Sequence, residues 1–488
     1  MFRNILVIII LQAVVLSCLA GVSSAELLVG TAVADITPNE PVALEGQFRL
    51  RIARTAETPI TANVIALESR EGGESRDIAI MVSCDVVFIR PEMLALVRKA
   101  VHEQLPDVDT AKLFLSATHT HTAPVLTDDK YCIPSDGVMS VEQYRSFFAS
   151  RVTDAIVQAW NGRRAGSITW GLSHAVVAYN RRAVYADGSA KMYGKTNLAG
   201  FRNLEGYEDH DINLLFFWND NKLVGMVVNI SCTSQEVEGR SAVNADFWHP
   251  VRKALRDRYG ESLCIVAWAG ASGDQSPHIM YRKAADERMR QLRGLTRLEE
   301  IARRIVVAVD DAYQTVRNDR HADIPLIHKV ETMQLPMRLV TEEEYSEAKA
   351  AVEKAVALME QDPNASAKEY RRMKWYEMTV NRFDRQRTDP KPTYEVESHI
   401  LRLGDVAICT NPFELFTDYG IRMKARSKAV QTFVVQLVGE GTYLPTEKAV
   451  RGGHYSAVVH SNLVGPEGGN VLVERTVNII NSLWKDPN

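Results

Sequence analysis

Three stretches of this chain share one plan, and that plan narrows the folds open to it. Each is an apolar strand, an amphipathic helix and a second apolar strand. The first joins "DIAIMVSCDVVFI" to "AKLFLSATHTH" through a helix that opens at Pro91. The second joins "LVGMVVNISCTS" to "LCIVAWAGASGDQSP" through a helix from about Asp246 to Tyr259. The third joins "HILRLGDVAICTNPFE" to "TFVVQLVGEGTYLPT" through a helix ending near Arg426. Near-continuous apolar strands linked by helices predict parallel pairing with both sheet faces covered. The expected fold class is α/β: mixed, largely parallel β-sheets flanked by helices, built from repeated βαβ-like units. Polar and Gly-rich residues follow the strands, at the carboxyl ends where such sheets bind ligands.

A helical insertion, about 341–385, separates the second unit from the third. "TEEEYSEAKAAVEKAVALMEQ" starts at Thr341 as N-cap with acidic residues in its first turn. "NASAKEYRRMKWYEMTVNRF" reads as its returning partner, with Pro363 and Asn364 at the turn. Mixed charge and amphipathic spacing predict a surface hairpin. Asn364 also opens an N-A-S glycosylation sequon, relevant only in a eukaryotic secretory host. No low-complexity linker interrupts the chain, so residues 26–488 read as one elaborated domain.

Residues 1–25 read as an export signal. Arg3 supplies the positive start, Ile5 to Leu19 is almost wholly apolar, and Ser23 and Ala25 are the small residues of a cleavage site. The expected location is periplasmic or extracellular, and "VLSC" ending at Cys18 leaves a lipid anchor open as an alternative. No other stretch approaches membrane-spanning length. With 57 basic and 61 acidic side chains and no Lys/Arg-rich stripe, nucleic acid is not an expected partner. Beyond the signal remain Cys84, Cys132, Cys232, Cys264 and Cys409, an odd number that cannot all pair within the chain. Cys84, Cys264 and Cys409 lie in apolar runs and read as buried free thiols.

The candidate chemistry sits after the strands. In an extended strand, side chains two apart share a face, so His119 and His121 of "ATHTHTAP" would point into one site. His-x-His closing a strand is a common way to offer a metal one ligand plus a neighbour, although a lone buried His is usually a core residue. In "AWAGASGDQSPH", Gly270, Ser272 and Gly273 form a tight turn leading to Ser276, whose hydroxyl could serve as nucleophile or as donor. Glu414 sits at a strand-to-helix junction, where it could also complement the helix dipole. Tyr443 follows an apolar strand, and Tyr455 lies twelve residues on in a Gly-rich loop. Taken singly, none of these is decisive.

Together, "GTAVADITP", "SATHTHTAP", "NRR", "GDQSP", "NPFELFT" and "YLPTEKA…GGHY" resemble, in order and approximate spacing, the catalytic domain of the neutral/alkaline (non-lysosomal) ceramidases. The resemblance runs from about Leu28 to Tyr455. It implies a zinc ion bound by His119, Glu414 and Tyr443, with His121 as a neighbouring non-ligand histidine. Arg181 of "YNRR" would orient substrate, Ser276 would match an essential serine, and Tyr455 a second active-site tyrosine. The family's remaining metal histidine falls at Cys232 in "NISCTSQE", where a thiolate would serve zinc; loss or exchange of the metal is the alternative. The β-sandwich that follows the catalytic domain in family members has no counterpart expected here.

The implied function is an exported zinc-dependent amidohydrolase acting on ceramide or a related N-acyl substrate, small or lipid-like, through metal-activated water. His121 would pass a proton to the leaving amine, and Tyr455 with Arg181 would stabilise the oxyanion. Whether Ser276 attacks or positions is open at this level, and so is the oligomeric state. Two rivals stand beside this reading. One is a hydrolase of the same fold acting on a glycan- or peptide-like substrate; the other is a non-catalytic exported binding protein, favoured by the cysteine at a metal position.

Overall fold

A computed structural model describes residues 26–362 and 366–484. The export signal with Cys18, and the turn at Pro363 and Asn364 with its sequon, lie outside the described residues.

Eight strands form one sheet: β1 (Glu26–Asp35), β2 (Thr61–Glu71), β3 (Glu74–Cys84), β4 (Leu113–Ala117), β5 (Arg164–His174), β6 (Asp211–Asn219), β7 (Lys222–Ile230) and β8 (Cys264–Ala269). Their order is β8-β7-β6-β5-β1-β2-β3-β4. A second sheet has the order β9 (Leu326–Pro336), β10 (Thr393–Leu403), β11 (Val406–Thr410), β12 (Gln431–Val435). All three strand–helix–strand units read from the sequence form parallel pairs, β3–β4, β7–β8 and β11–β12. Each is the end pair of its sheet, and every other pair in the two sheets is antiparallel. Largely parallel pairing is therefore corrected to mixed sheets with antiparallel interiors. The cause is local. Two-residue connections at Gly72–Gly73, Asp220–Asn221 and Gly404–Asp405 leave room only for hairpins. Gly72, Gly73, Asp220 and Gly404 all take positive φ, as tight turns require.

The two sheets pack face to face through Phe114, Phe217, Val227 and Trp268 on one side and Leu401, Ile408 and Phe433 on the other. The outer face of the large sheet is covered by α1 (Pro91–Gln104) and α2 (Val141–Asn161), and, toward β7 and β8, by α3 (Trp248–Tyr259) and α4 (Arg297–Val316). The outer face of the small sheet is covered by α7 (Thr417–Arg426) and α8 (Pro466–Ser482). The result is helix, sheet, sheet, helix, with apolar side chains on both faces of the inner strands. Each fully buried Leu, Ile or Phe in these layers contributes roughly 1.5–3 kcal/mol. Pro91 opens α1 as expected, and reciprocal caps, Ser140/Gln143 on α2 and Thr296/Glu299 on α4, start two further helices.

The insertion is an antiparallel pair, α5 (Glu342–Gln361), capped by Thr341 and Glu344, and α6 (Ser366–Thr388). It is not only a surface hairpin, because α6 carries Trp375 onto Tyr455, with ring centres 5.8 Å apart. All five described cysteines are free, and Cys84, Cys264 and Cys409 are buried as expected. No described helix is long and apolar enough to cross a membrane.

The carboxyl ends of strands from both sheets meet. Ala117, at the end of β4, donates to the Leu437 carbonyl (3.2 Å), and Gln436 donates to Ala269 at the end of β8 (2.9 Å). The chemistry collects at this junction.

Candidate active site

Strand β4 stops at Ala117, and His119 bends into the left-handed region at φ 66°. That bend, not continued extension, brings the two imidazoles together with ring centres 4.7 Å apart. The shared face expected from strand alternation is thus real but has a different cause. Backbone bonds from Thr118 to Cys84 and from His119 to Val86, both 3.0 Å, pin the bend to the end of β3. His121 packs against Gly46 so closely that a Cβ there would lie 2.4 Å from its ring Cγ; with φ 101°, position 46 needs glycine on both counts.

Hydrogen bonding assigns the protons. His119 Nδ1 lies 2.9 Å from the Val87 carbonyl, which can only accept, so Nδ1 carries hydrogen and Nε2 presents a lone pair. The Gln235 carbonyl oxygen accepts from Arg181 (3.1 Å) and Thr233 (2.8 Å), which turns its amide nitrogen toward His121 Nε2 at 2.9 Å. His121 Nε2 therefore accepts, and its Nδ1 hydrogen faces Glu238 Oε2 at 3.4 Å. Glu238 bridges to His278 as well, also at 3.4 Å. Burial lowers the affinity of His121 for a proton, and the opposing pull of Glu238 does not outweigh it. Burial raises the Glu238 carboxyl, but His121 and His278 outweigh that and hold it well below the ordinary range.

Glu414 and Tyr443 are register partners in two short parallel strands. Glu414 Oε2 lies 3.5 Å from His119 Nε2 and is buried without a hydrogen-bond partner. Burial favours a protonated Glu414, yet His119 and Arg181 overcome it and keep the carboxyl below its usual value. Burial, and after it the negative Glu414 beside it, holds the Tyr443 phenol strongly protonated. Gly273 allows the "GDQS" turn to touch this strand, since a Cβ there would lie 2.2 Å from the Glu414 carbonyl oxygen.

Arg181 is the hub. Its guanidinium donates to the Gly273 carbonyl (2.9 Å), the Tyr193 hydroxyl (3.0 Å), Gln235 (3.1 Å) and the Tyr443 hydroxyl (3.4 Å). Burial opposes its charge, but Tyr193, Tyr443 and Glu414 outweigh that and raise its pKa. Ser276 is buried and accepts from the His278 backbone at 3.3 Å. Among the described residues, no imidazole or carboxylate accepts its hydroxyl proton. Tyr455 meets Tyr443 edge to face at 5.7 Å, and burial pushes its phenol up to about 12. Beyond it Phe48 and Trp375 complete an aromatic wall, with ring separations of 5.6–5.8 Å.

Cys232 does not join this group. Met226, Val228 and Ile230 face the helix layer, and Cys232 keeps their parity, packing in the same core as Phe247 and Trp248. Its thiol donates weakly to Val177 (3.7 Å) and Thr233 (3.6 Å) carbonyls, and burial raises its pKa well above the ordinary value. Gln235, three residues on, is the side chain of this loop that bonds His121 and Arg181. Gln235, Glu238, Tyr193, Phe48 and Trp375 were missed in the sequence. The only signal for the first two was the polar run "TSQEVE" directly after a buried strand.

The His119 Nε2 lone pair and the orphaned Glu414 oxygen face each other at 3.5 Å, beside a His121 Nε2 that is satisfied by Gln235. Two buried acceptors turned on each other with no hydrogen between them fit a cation. His119, Glu414 and Tyr443 are thus suited to a metal. Among the described residues, however, no three His, Cys, Asp or Glu side chains form a ready ligand set.

No protein-family model matches the chain, and no curated protein matches it. Solved structures do, two of them ceramidases. A neutral ceramidase from Pseudomonas aeruginosa is similar over 94% of this chain and 74% of its own, with a TM-score of 0.65 and 16% identity. A ceramidase complexed with C2 is similar over 94% and 75%, with a TM-score of 0.64 and 13% identity. The likeness is one of fold: over nearly its whole length, this chain is built as those ceramidases are.

Proposed function

We propose that the protein is an exported, zinc-dependent amidohydrolase that cleaves the amide bond of an N-acyl amine. The observation that carries the reading is the orphaned Glu414 Oε2 facing His119 Nε2 at 3.5 Å inside a ceramidase-like fold. His119, Glu414 and Tyr443 would hold the metal, with no protein thiolate among the ligands. Zinc, when bound, polarises a carbonyl and acidifies water. The fold likeness supports an amide substrate, and the "GVSSA" pattern supports export.

Hydrolysis adds water across the C–N bond: oxygen to the carbonyl carbon, hydrogen to the nitrogen. His121 is suited to carry that proton, because its Nε2 is free of hydrogen and its Nδ1 is held toward Glu238. Arg181 is a fixed positive charge behind Tyr443 and Glu414, and it orders both. Tyr455, protonated through the working range, can donate to the developing oxyanion. Ser276 lacks an adjacent base and so positions rather than attacks.

The test is metal analysis of purified protein, followed by mass-spectrometric screening against N-acyl amines, peptides and N-acyl amino sugars. About one zinc per chain and turnover of N-acyl amines is the expected result. A protein that takes up no zinc and cleaves none of them would overturn the reading.

A further inference from the structure

The two approaches to the buried cluster differ in chemistry. On one side stands the wall of Phe48, Trp375 and Tyr455. A cation on that side, Arg371, lies over the Phe48 ring (5.4 Å) and beside Tyr131. On the other side a cavity of about 600 Å³ opens between residues 193–197 and 278–283. Tyr193, Glu238 and His278 line it, and Lys195, Arg282 and Lys283 reach it from the surface. Arg282 is paired with Asp286 at 3.0 Å. Among the described residues, neither Lys195 nor Lys283 has a carboxylate within 4.0 Å. The one carboxylate of the cavity, Glu238, is paired with His278 at 3.4 Å and faces the Nδ1 hydrogen of His121.

We propose that this cavity takes the amine half of the substrate, and that this half carries an anionic group, as in an N-acyl amino acid, while the acyl chain lies along the aromatic wall. The inference rests on the amidohydrolase reading and names its substrate class. The polarity of the substrate follows from proton delivery. The leaving nitrogen must lie within reach of His121, and His121 is linked to this cavity through Glu238, which lines it. An anion entering there meets two unpaired ammonium groups, whereas a neutral sphingoid base leaves both unanswered.

The experiment is equilibrium binding by calorimetry of two hydrolysis-resistant probes, hexadecylsulfonyl-glycine and hexadecylsulfonyl-ethanolamine. It uses the full-length protein and a Lys195→Gln/Lys283→Gln variant. The expected result is preference for the glycine probe, cut roughly tenfold in the variant, the scale of two partly exposed ion pairs. Equal affinity for the probes, preference for the ethanolamine probe, or a preference untouched by the double substitution would each overturn the inference. Thermal melting of the variant confirms that it folds. Because the probes report binding alone, loss of the charge preference is separable from absence of amide hydrolysis, which would count against the amidohydrolase reading instead.

Discussion

His121 and Glu238 face each other across 3.4 Å, from the loop after β4 and the loop after β7. With Gln235 on the opposite ring nitrogen, they leave His121 one tautomer. Glu238 is a positioning residue. Glu238→Gln, which offers the imidazole an amide in place of a carboxylate, should lower kcat about 10–100-fold, with KM and zinc content nearly unchanged. Glu238→Asp should recover part of the loss. Steady-state kinetics beside metal analysis checks this; an unchanged kcat in Glu238→Gln would remove the pairing from the mechanism.

The two histidines should divide by role. His119→Ala and Glu414→Ala should each lose zinc and turnover while the chain stays folded. His121→Ala should keep the metal and lose about 10²–10⁴ in kcat. Elemental analysis and kinetics on the three variants decide it, and retention of zinc by Glu414→Ala would sink the ligand assignment.

Cys232 should behave as a core thiol. Its labelling by thiol reagents should be slow with or without chelator, because burial and not metal protects it. Cys232→Ala should keep full zinc content and cost about 1 kcal/mol or more of stability through the cavity it leaves. Labelling that accelerates on chelation would restore the cysteine to the metal site.

Gly46→Ala adds a single methyl in contact with His121, at a left-handed backbone position. It should destabilise the protein by about 1–3 kcal/mol and depress kcat more than KM. Denaturant titration and kinetics read the two effects separately. Wild-type stability and activity would show that the loop yields freely.

Glu45 supplies the pH dependence. Burial raises its carboxyl, but Lys130 and Arg90 outweigh burial and hold it at about 2 against an ordinary 4.5. Its folded-state value is depressed, so its stabilisation is present above the unfolded value near 4.5 and is lost as pH falls toward 2. Denaturant midpoints should fall through that window, and the difference between wild type and Glu45→Gln should narrow across it. A difference that stays constant from pH 6 to pH 2 would count against the ion pairs at Arg90 (2.9 Å) and Lys130 (2.5 Å).

Much of this molecule was legible in the chain because local rules decide it. Apolar runs such as Ala79–Val82 are buried on both faces, and three pairs of such runs lie parallel as read. The cap at Thr341 starts its helix through short-range bonds, as read. Even the place of Cys232 was written in strand parity, since every second residue from Met226 faces the helices. Only the tertiary structure decided which remote loops meet. Glu414 reaches His119, Gln235 reaches His121, and α6 lays Trp375 on Tyr455 because two sheets, packed face to face, bring their strand ends to one junction. Such contacts depend on sheet order and packing, which no local pattern encodes, and the bend at His119 holds only because Val86 and Val87 are there to bind it.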